Sequence, residues 1–116
     1  MSFWPWRRKA RRHQSLFPLG QIVVSEPARA ALRASQTALG DLLNRHQRGD
    51  WGQVDDVDAK QNELALRLPM RVRSCYLLDS GPDHPAVGLW IITSADRIRT
   101  AVLLPREIFD EDEEQG

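Results

Sequence analysis

A chain of 116 residues, 41% hydrophobic and 28% charged, suffices for one domain with one core and is too short for two. Its single cysteine, Cys75, excludes an internal disulfide, and no residue group has zinc-ligand spacing, so neither metal nor cofactor is expected. No apolar run approaches the ~18 residues of a membrane span, and no apolar stretch follows Arg12, so the expectation is a cytoplasmic chain without a span or secretory signal.

Sixteen Lys and Arg balance sixteen Asp and Glu, but the charges are not mixed. Residues 1–13 carry Arg7, Arg8, Lys9, Arg11 and Arg12 and no acid; residues 107–116 carry Glu107, Asp110, Glu111, Asp112, Glu113 and Glu114 and no base. The organisation this predicts is a disordered basic, aromatic arm over 1–13, one α+β domain over 14–106, and an acidic tail over 107–116.

In chain order, Gln21-Ile22-Val23-Val24 is short, β-branched and preceded by Pro18 and Gly20, the signature of a strand. Ser25 or Glu26 caps a first helix with Pro27 in its first turn and Ala28, Ala31 and Leu32 as its buried stripe. A second helix is expected from a Thr37 cap, with Leu39, Leu42, Leu43 and His46 on one face and Gly49 as its stop. Asp55 caps a third, whose apolar positions are Val57, Leu64, Ala65 and Leu68, with Pro69 closing it. The period then changes. Val72, Ser74, Tyr76 and Leu78 alternate with Arg71, Arg73, Cys75 and Leu77; residues 87–93 are nearly all apolar; Ser94 to Arg97 turn the chain; and Ile98 to Leu104 return antiparallel to Pro105. The predicted order is β-α-α-α-β-β-β, helices packed on one face of a small antiparallel sheet.

Leu19 to Val23, Arg45-His46-Gln47-Arg48-Gly49-Asp50-Trp51-Gly52, Asn62 to Leu66, Ser74 to Tyr76, Leu89 to Thr93, Asp96-Arg97 and Thr100 to Pro105 together resemble a family of small proteins of plasmids and integrative conjugative elements. Its members are labelled plasmid-related proteins, or type I restriction enzyme subunits. The resemblance spans residues 16–106, with the Arg-His-x-x-Gly-Asp-Trp-Gly block its most specific part; it departs at Ser94, where the family often has an acid, at Ala101, where it has a hydroxyl, and after Pro105. What it implies is a mobile-DNA context and no particular chemistry. The restriction label finds no support, since a nucleotide-binding Rossmann domain and its glycine motif are missing.

His46, beside Arg45 and Arg48 and just before Asp50, has the setting of a general base next to phosphate-holding cations; the alternative is a core histidine at a helix C-terminus. Arg97, Arg99 and Thr100, at the last hairpin, have the chemistry to grip and orient a phosphate without metal, or form an ordinary solvated face. Asp50-Trp51-Gly52 reads as a recognition turn with a stacking Trp51, or as a turn whose Asp50 accepts backbone N–H groups while Trp51 plugs the core. In the arm, Trp4 and Trp6 interleave with Arg7, Arg8, Lys9, Arg11 and Arg12, a pattern suited to RNA or DNA, to a membrane surface, or to no partner at all. Asp55 and Asp58 are explained by helix capping, and no metal is assigned to them.

Two functions follow as expectations. One is a mobile-element accessory protein contacting nucleic acid, as a metal-independent endoribonuclease of barnase, EndoU or RelE-like layout with His46 as base. The other is a non-enzymatic protein-interaction or plasmid-maintenance factor that meets a host or plasmid protein through its sheet face or charged arms. The oligomeric state is left open.

Overall fold

The computed structural model describes residues 15–107. Strand β1 (Gln21–Val24) leads into helices α1 (Glu26–Ala34), α2 (Leu39–Gln47) and α3 (Asp56–Ala65), then strands β2 (Val72–Leu78), β3 (Val87–Thr93) and β4 (Arg99–Leu103). The α+β order matches the sequence pattern. One four-stranded sheet has the order β1-β4-β3-β2. β2, β3 and β4 form an antiparallel meander, whereas β1 adds to β4 in parallel, with Ile22 beside Thr100 and Val24 beside Val102. The three helices carry the chain from one sheet edge to the other, and the meander walks back until β4 lies beside β1.

Ser25 caps α1, its Oγ accepting the Ala28 N–H at 3.1 Å. The expected Thr37 cap of α2 is not formed. Thr37 instead closes α1, its N–H reaching Leu32 O while Gln36, at φ 54°, donates to Arg33 O, which is a Schellman closure. Thr37 Oγ1 is occupied by Ser35, and α2 starts at Leu39 behind Ala38, which supplies no side-chain cap.

Ala28 and Leu32 of α1 and Leu42 of α2 pack on Tyr76, Leu78, Leu89, Ile91 and Val102, one face of the sheet. α3 behaves differently. Of its four expected apolar positions Ala65 is buried, but Val57, Leu64 and Leu68 are 64%, 39% and 50% exposed, and the helix buries Ala59 and Asn62 beside Ala65. The reason is where it lands: α3 approaches the outer edge of β2, so small side chains let it come close and Asn62 satisfies strand backbone. Asn62 Nδ2 donates to Arg73 O at 2.6 Å and its Oδ1 accepts the Arg73 N–H at 2.9 Å. Two residues on, Cys75 N–H donates to Trp51 O and Cys75 O accepts the Gln53 N–H, at 3.1 and 2.7 Å. The β2 edge is therefore covered along its centre.

On the opposite sheet face Ile92, Ala101 and Leu103 form a small buried cluster, against which Trp90 packs. Leu77 and Val23 share that face by strand alternation and are exposed.

Candidate functional site

The helix α2 ends by driving His46 beneath the sheet, because the 3.6-residue period puts it on the same stripe as Leu42. Its side chain is 0% exposed, with the Phe17 ring edge-on at 5.1 Å and Trp51 at 6.3 Å. Both ring nitrogens are engaged: Nδ1 lies 2.6 Å from Ser74 Oγ and Nε2 lies 2.9 Å from Thr93 Oγ1. Thr93 Oγ1 meets Thr100 Oγ1 at 2.7 Å, and Thr100 Oγ1 donates to Leu19 O at 2.7 Å.

This chain of four side chains fixes every proton in it. A carbonyl only accepts, so Thr100 spends its one hydroxyl proton on Leu19 O. Thr93 must then donate to Thr100, and His46 Nε2 must carry hydrogen and donate to Thr93. Nδ1 is left bare and accepts from Ser74. The imidazole is thus a neutral, Nε2-protonated tautomer with no lone pair directed at solvent. Burial lowers its pKa from 6.5 to about 3, and the nearby Arg97 charge pushes the same way.

Arg97 is equally committed to the fold. It sits at φ 63° in the β3–β4 turn, and its Nη1 donates to Met70 O at 2.7 Å and Ser94 O at 2.9 Å while Nη2 donates to Ala65 O at 2.5 Å. Ala65 ends α3, a helix with no basic residue in its last turn, so Arg97 brings a cation from another element to the negative helix terminus. Desolvation lowers its pKa, and its guanidinium also stands 5.4 Å from the Phe17 ring. Thr100 is 0% exposed, and Arg99, its neighbour along β4, is exposed and belongs to the other sheet face. Of the four residues with the chemistry of a ribonuclease, His46 and Thr100 meet inside the core through Thr93, Arg97 seals that region from the edge, and Arg99 lies apart.

The Arg-His-x-x-Gly-Asp-Trp-Gly block forms a clasp around the end of α2. Gly49 leaves the helix at φ 87°. Asp50 turns back so that its carboxylate accepts Arg45 Nε at 2.7 Å, Arg45 Nη2 at 3.3 Å and the Gly52 N–H at 3.3 Å. The Asp50 hydrogen bonds raise the Arg45 pKa further. Arg45 lies 4.5 Å over the Tyr76 ring, and Tyr76 Oη donates to Asp50 O at 2.6 Å. Trp51, 3% exposed, donates Nε1 to Glu63 of α3 at 3.1 Å. Gly52 sits at φ 73° with its backbone against β2, and a Cβ there would come 2.0 Å from Cys75 O. Each motif residue accordingly has a folding role in this geometry.

Ser74, Asn62, Glu63 and Tyr76 complete these networks and carried no functional weight in the sequence. Ser74 gave one signal, standing at an inward position between Val72 and Tyr76 on an apolar face, where a hydroxyl needs a buried partner. Trp4, Trp6, Arg7, Arg8, Lys9, Arg11 and Arg12 lie outside the described residues. Among the described residues no three His, Cys, Asp or Glu side chains gather as a metal site, and no helix is long and apolar enough to cross a membrane. Comparison with protein-family models, with curated proteins and with solved structures finds no match.

Proposed function

We propose that this chain is a non-enzymatic accessory protein of a mobile genetic element that contacts nucleic acid through residues 1–13. In this reading Trp4 and Trp6 stack on unpaired bases, and Arg7, Arg8, Lys9, Arg11 and Arg12 neutralise phosphate. The mobile-element context comes from the resemblance over residues 16–106. The observation that carries the non-enzymatic part is the buried chain Ser74–His46–Thr93–Thr100, in which the base and the hydroxyl of a metal-free ribonuclease are spent on holding the core. A general base has to reach its substrate within hydrogen-bond distance, and a 0% exposed imidazole with both nitrogens bonded does not.

Anisotropy of labelled single-stranded RNA and DNA in EDTA tests this, using the wild type, Trp4→Ala/Trp6→Ala, Arg7→Gln/Arg8→Gln and His46→Gln. Binding is expected to weaken linearly with the logarithm of salt concentration, with a shallower slope in the arginine variant. His46→Gln should bind as the wild type does, and no strand should be cut. Cleavage that disappears with His46→Gln, or binding indifferent to both arm variants, would overturn the reading.

A further inference from the structure

Strand β1 forms a sheet edge whose outer backbone is open. Gln21 N–H donates to Ile98 O and Ser25 N–H to Val102 O, so in the parallel pairing with β4 residues 21, 23 and 25 turn their backbone groups inward. Ile22 and Val24 therefore turn N–H and C=O outward, where no described residue pairs with them, and Ile22 and Val23 are 41% and 42% exposed. The opposite edge, β2, is closed at Arg73 and Cys75 by Asn62 and by residues 51–53. An edge left open in this way is a template for an extended segment of another chain.

At Val24 the edge gives onto a cleft of about 490 Å³ between α1 and the start of α2. Val24, Leu32 and Leu39 supply its apolar walls, Arg29 and Arg33 supply its charge, and no acidic residue lines it. Arg29 and Arg33 stand one helical turn apart on α1, about 6 Å along its axis. Side chains two residues apart on a strand point the same way and lie about 6.7 Å apart, so two carboxylates at alternate positions match the two guanidinium groups. Glu26 pairs with Arg29 at 3.7 Å on an exposed surface, where a competing carboxylate displaces it at small cost. Arg33 has no ion-pair partner among the described residues.

We infer that this edge and cleft are a docking site for an acidic, extended segment of a partner protein, which pairs with the outward groups of Ile22 and Val24 and sets alternate carboxylates on Arg29 and Arg33. Each feature of the site selects one property of that occupant. The alternating N–H and C=O groups of the edge call for a peptide backbone, which a nucleic acid does not have. The apolar walls suit β-branched side chains, and the two arginines select acids. A second copy pairing through its own β1 brings its own Arg29 and Arg33 to the interface, and like charge opposes that contact. The site is separate from residues 1–13, so it adds a protein contact to the nucleic-acid contact proposed above.

The test uses the full chain and a labelled peptide, Thr-Val-Thr-Val-Glu-Val-Glu, with a second peptide carrying Gln in place of both Glu. Fluorescence anisotropy should show saturable binding of the acidic peptide that weakens in high salt. Affinity should fall about 2- to 30-fold for the Gln peptide, and equally for the acidic peptide on Arg29→Gln/Arg33→Gln, the range expected of two exposed ion pairs. Amide hydrogen exchange at Ile22 and Val24 should be fast in the free protein and slow with the acidic peptide bound. Ile91 on β3 is the internal control, and its exchange should not change. Absence of saturable binding, equal binding of the two peptides, or binding that leaves Ile22 and Val24 exchange unaltered would overturn the inference. Oligothymidylate that protects the same two amides assigns the edge to nucleic acid, and protection in the free protein that fades on dilution assigns it to a second copy; either result overturns the inference too.

Discussion

The buried imidazole makes a quantitative claim about acid. In the unfolded chain His46 titrates at about 6.5, whereas in the fold burial holds its pKa at about 3, so between those values the unfolded state binds the extra proton. Stability from this group is therefore complete above pH 6.5 and is lost as pH falls toward 3. Each pH unit inside the window removes about 1.4 kcal/mol, so the loss at pH 5 is about 2 kcal/mol and approaches about 5 kcal/mol at the acid limit. At pH 5 the figure depends almost wholly on the unfolded value, since any folded pKa below about 4 gives the same result. The assay is urea unfolding at pH 7.5, 6.5, 5.5 and 5.0 for the wild type and His46→Gln. The variant is less stable throughout, but only its slope matters, because carboxylates and exposed groups titrate alike in both chains. The wild type should lose about 2 kcal/mol more than the variant between pH 7.5 and 5.0. Parallel curves would refute the burial and the neutral tautomer together.

Three further substitutions probe the same architecture. Ser74→Ala removes the donor to His46 Nδ1 and should cost about 1–3 kcal/mol of unfolding free energy, with the pH slope retained. Asn62→Ala strips both hydrogen bonds from the Arg73 backbone and should cost about 2–3 kcal/mol, with faster exchange of the Arg73 amide than of the central β3 amides. Gly52→Ala drives a Cβ to 2.0 Å from Cys75 O at a positive φ, so the thermal midpoint should fall by more than the ~4–8 °C that accompanies 1 kcal/mol in a domain of this size.

Much of the fold was legible because its signals are local. The alternation of Val72, Ser74, Tyr76 and Leu78, the apolar run at 87–93 and the Ser25 and Asp55 caps each act within a few residues, and all four appear in the structure. The misread features are those that need a distant partner. Thr37 has the chemistry of a helix cap, but the Schellman closure of α1 claims it first. Val57 and Leu64 imply a helix lying on a sheet face, whereas the strand edge selects Ala59, Asn62 and Ala65. The parallel placement of β1 follows from which edge remains open after the meander forms, and no residue of 21–24 encodes that choice. Within the candidate site, His46 and Thr100 were singled out separately, and the structure joins them through Thr93. What pattern alone does not give is depth. A helix-terminal histidine beside two arginines looks the same in sequence whether it opens on a cleft or lies under two aromatic rings.

That difference in depth decides how the most specific motif of the chain should be understood. Arg45, Asp50 and Gly52 close a loop on themselves, yet the loop's carbonyl and amide groups reach out to Cys75 and Tyr76, so the clasp is a device for attaching a helix terminus to a strand edge. His46 extends the same attachment inward to two neighbouring strands, through Ser74 on the edge strand β2 and Thr93 on the central strand β3. A hydrophobic side chain at position 46 would fill the space but leave Ser74 and Thr93 without their shared partner, and buried hydroxyls are costly when unpaired. The residue types that suggest phosphate chemistry are thus selected here by hydrogen-bond satisfaction within a small core.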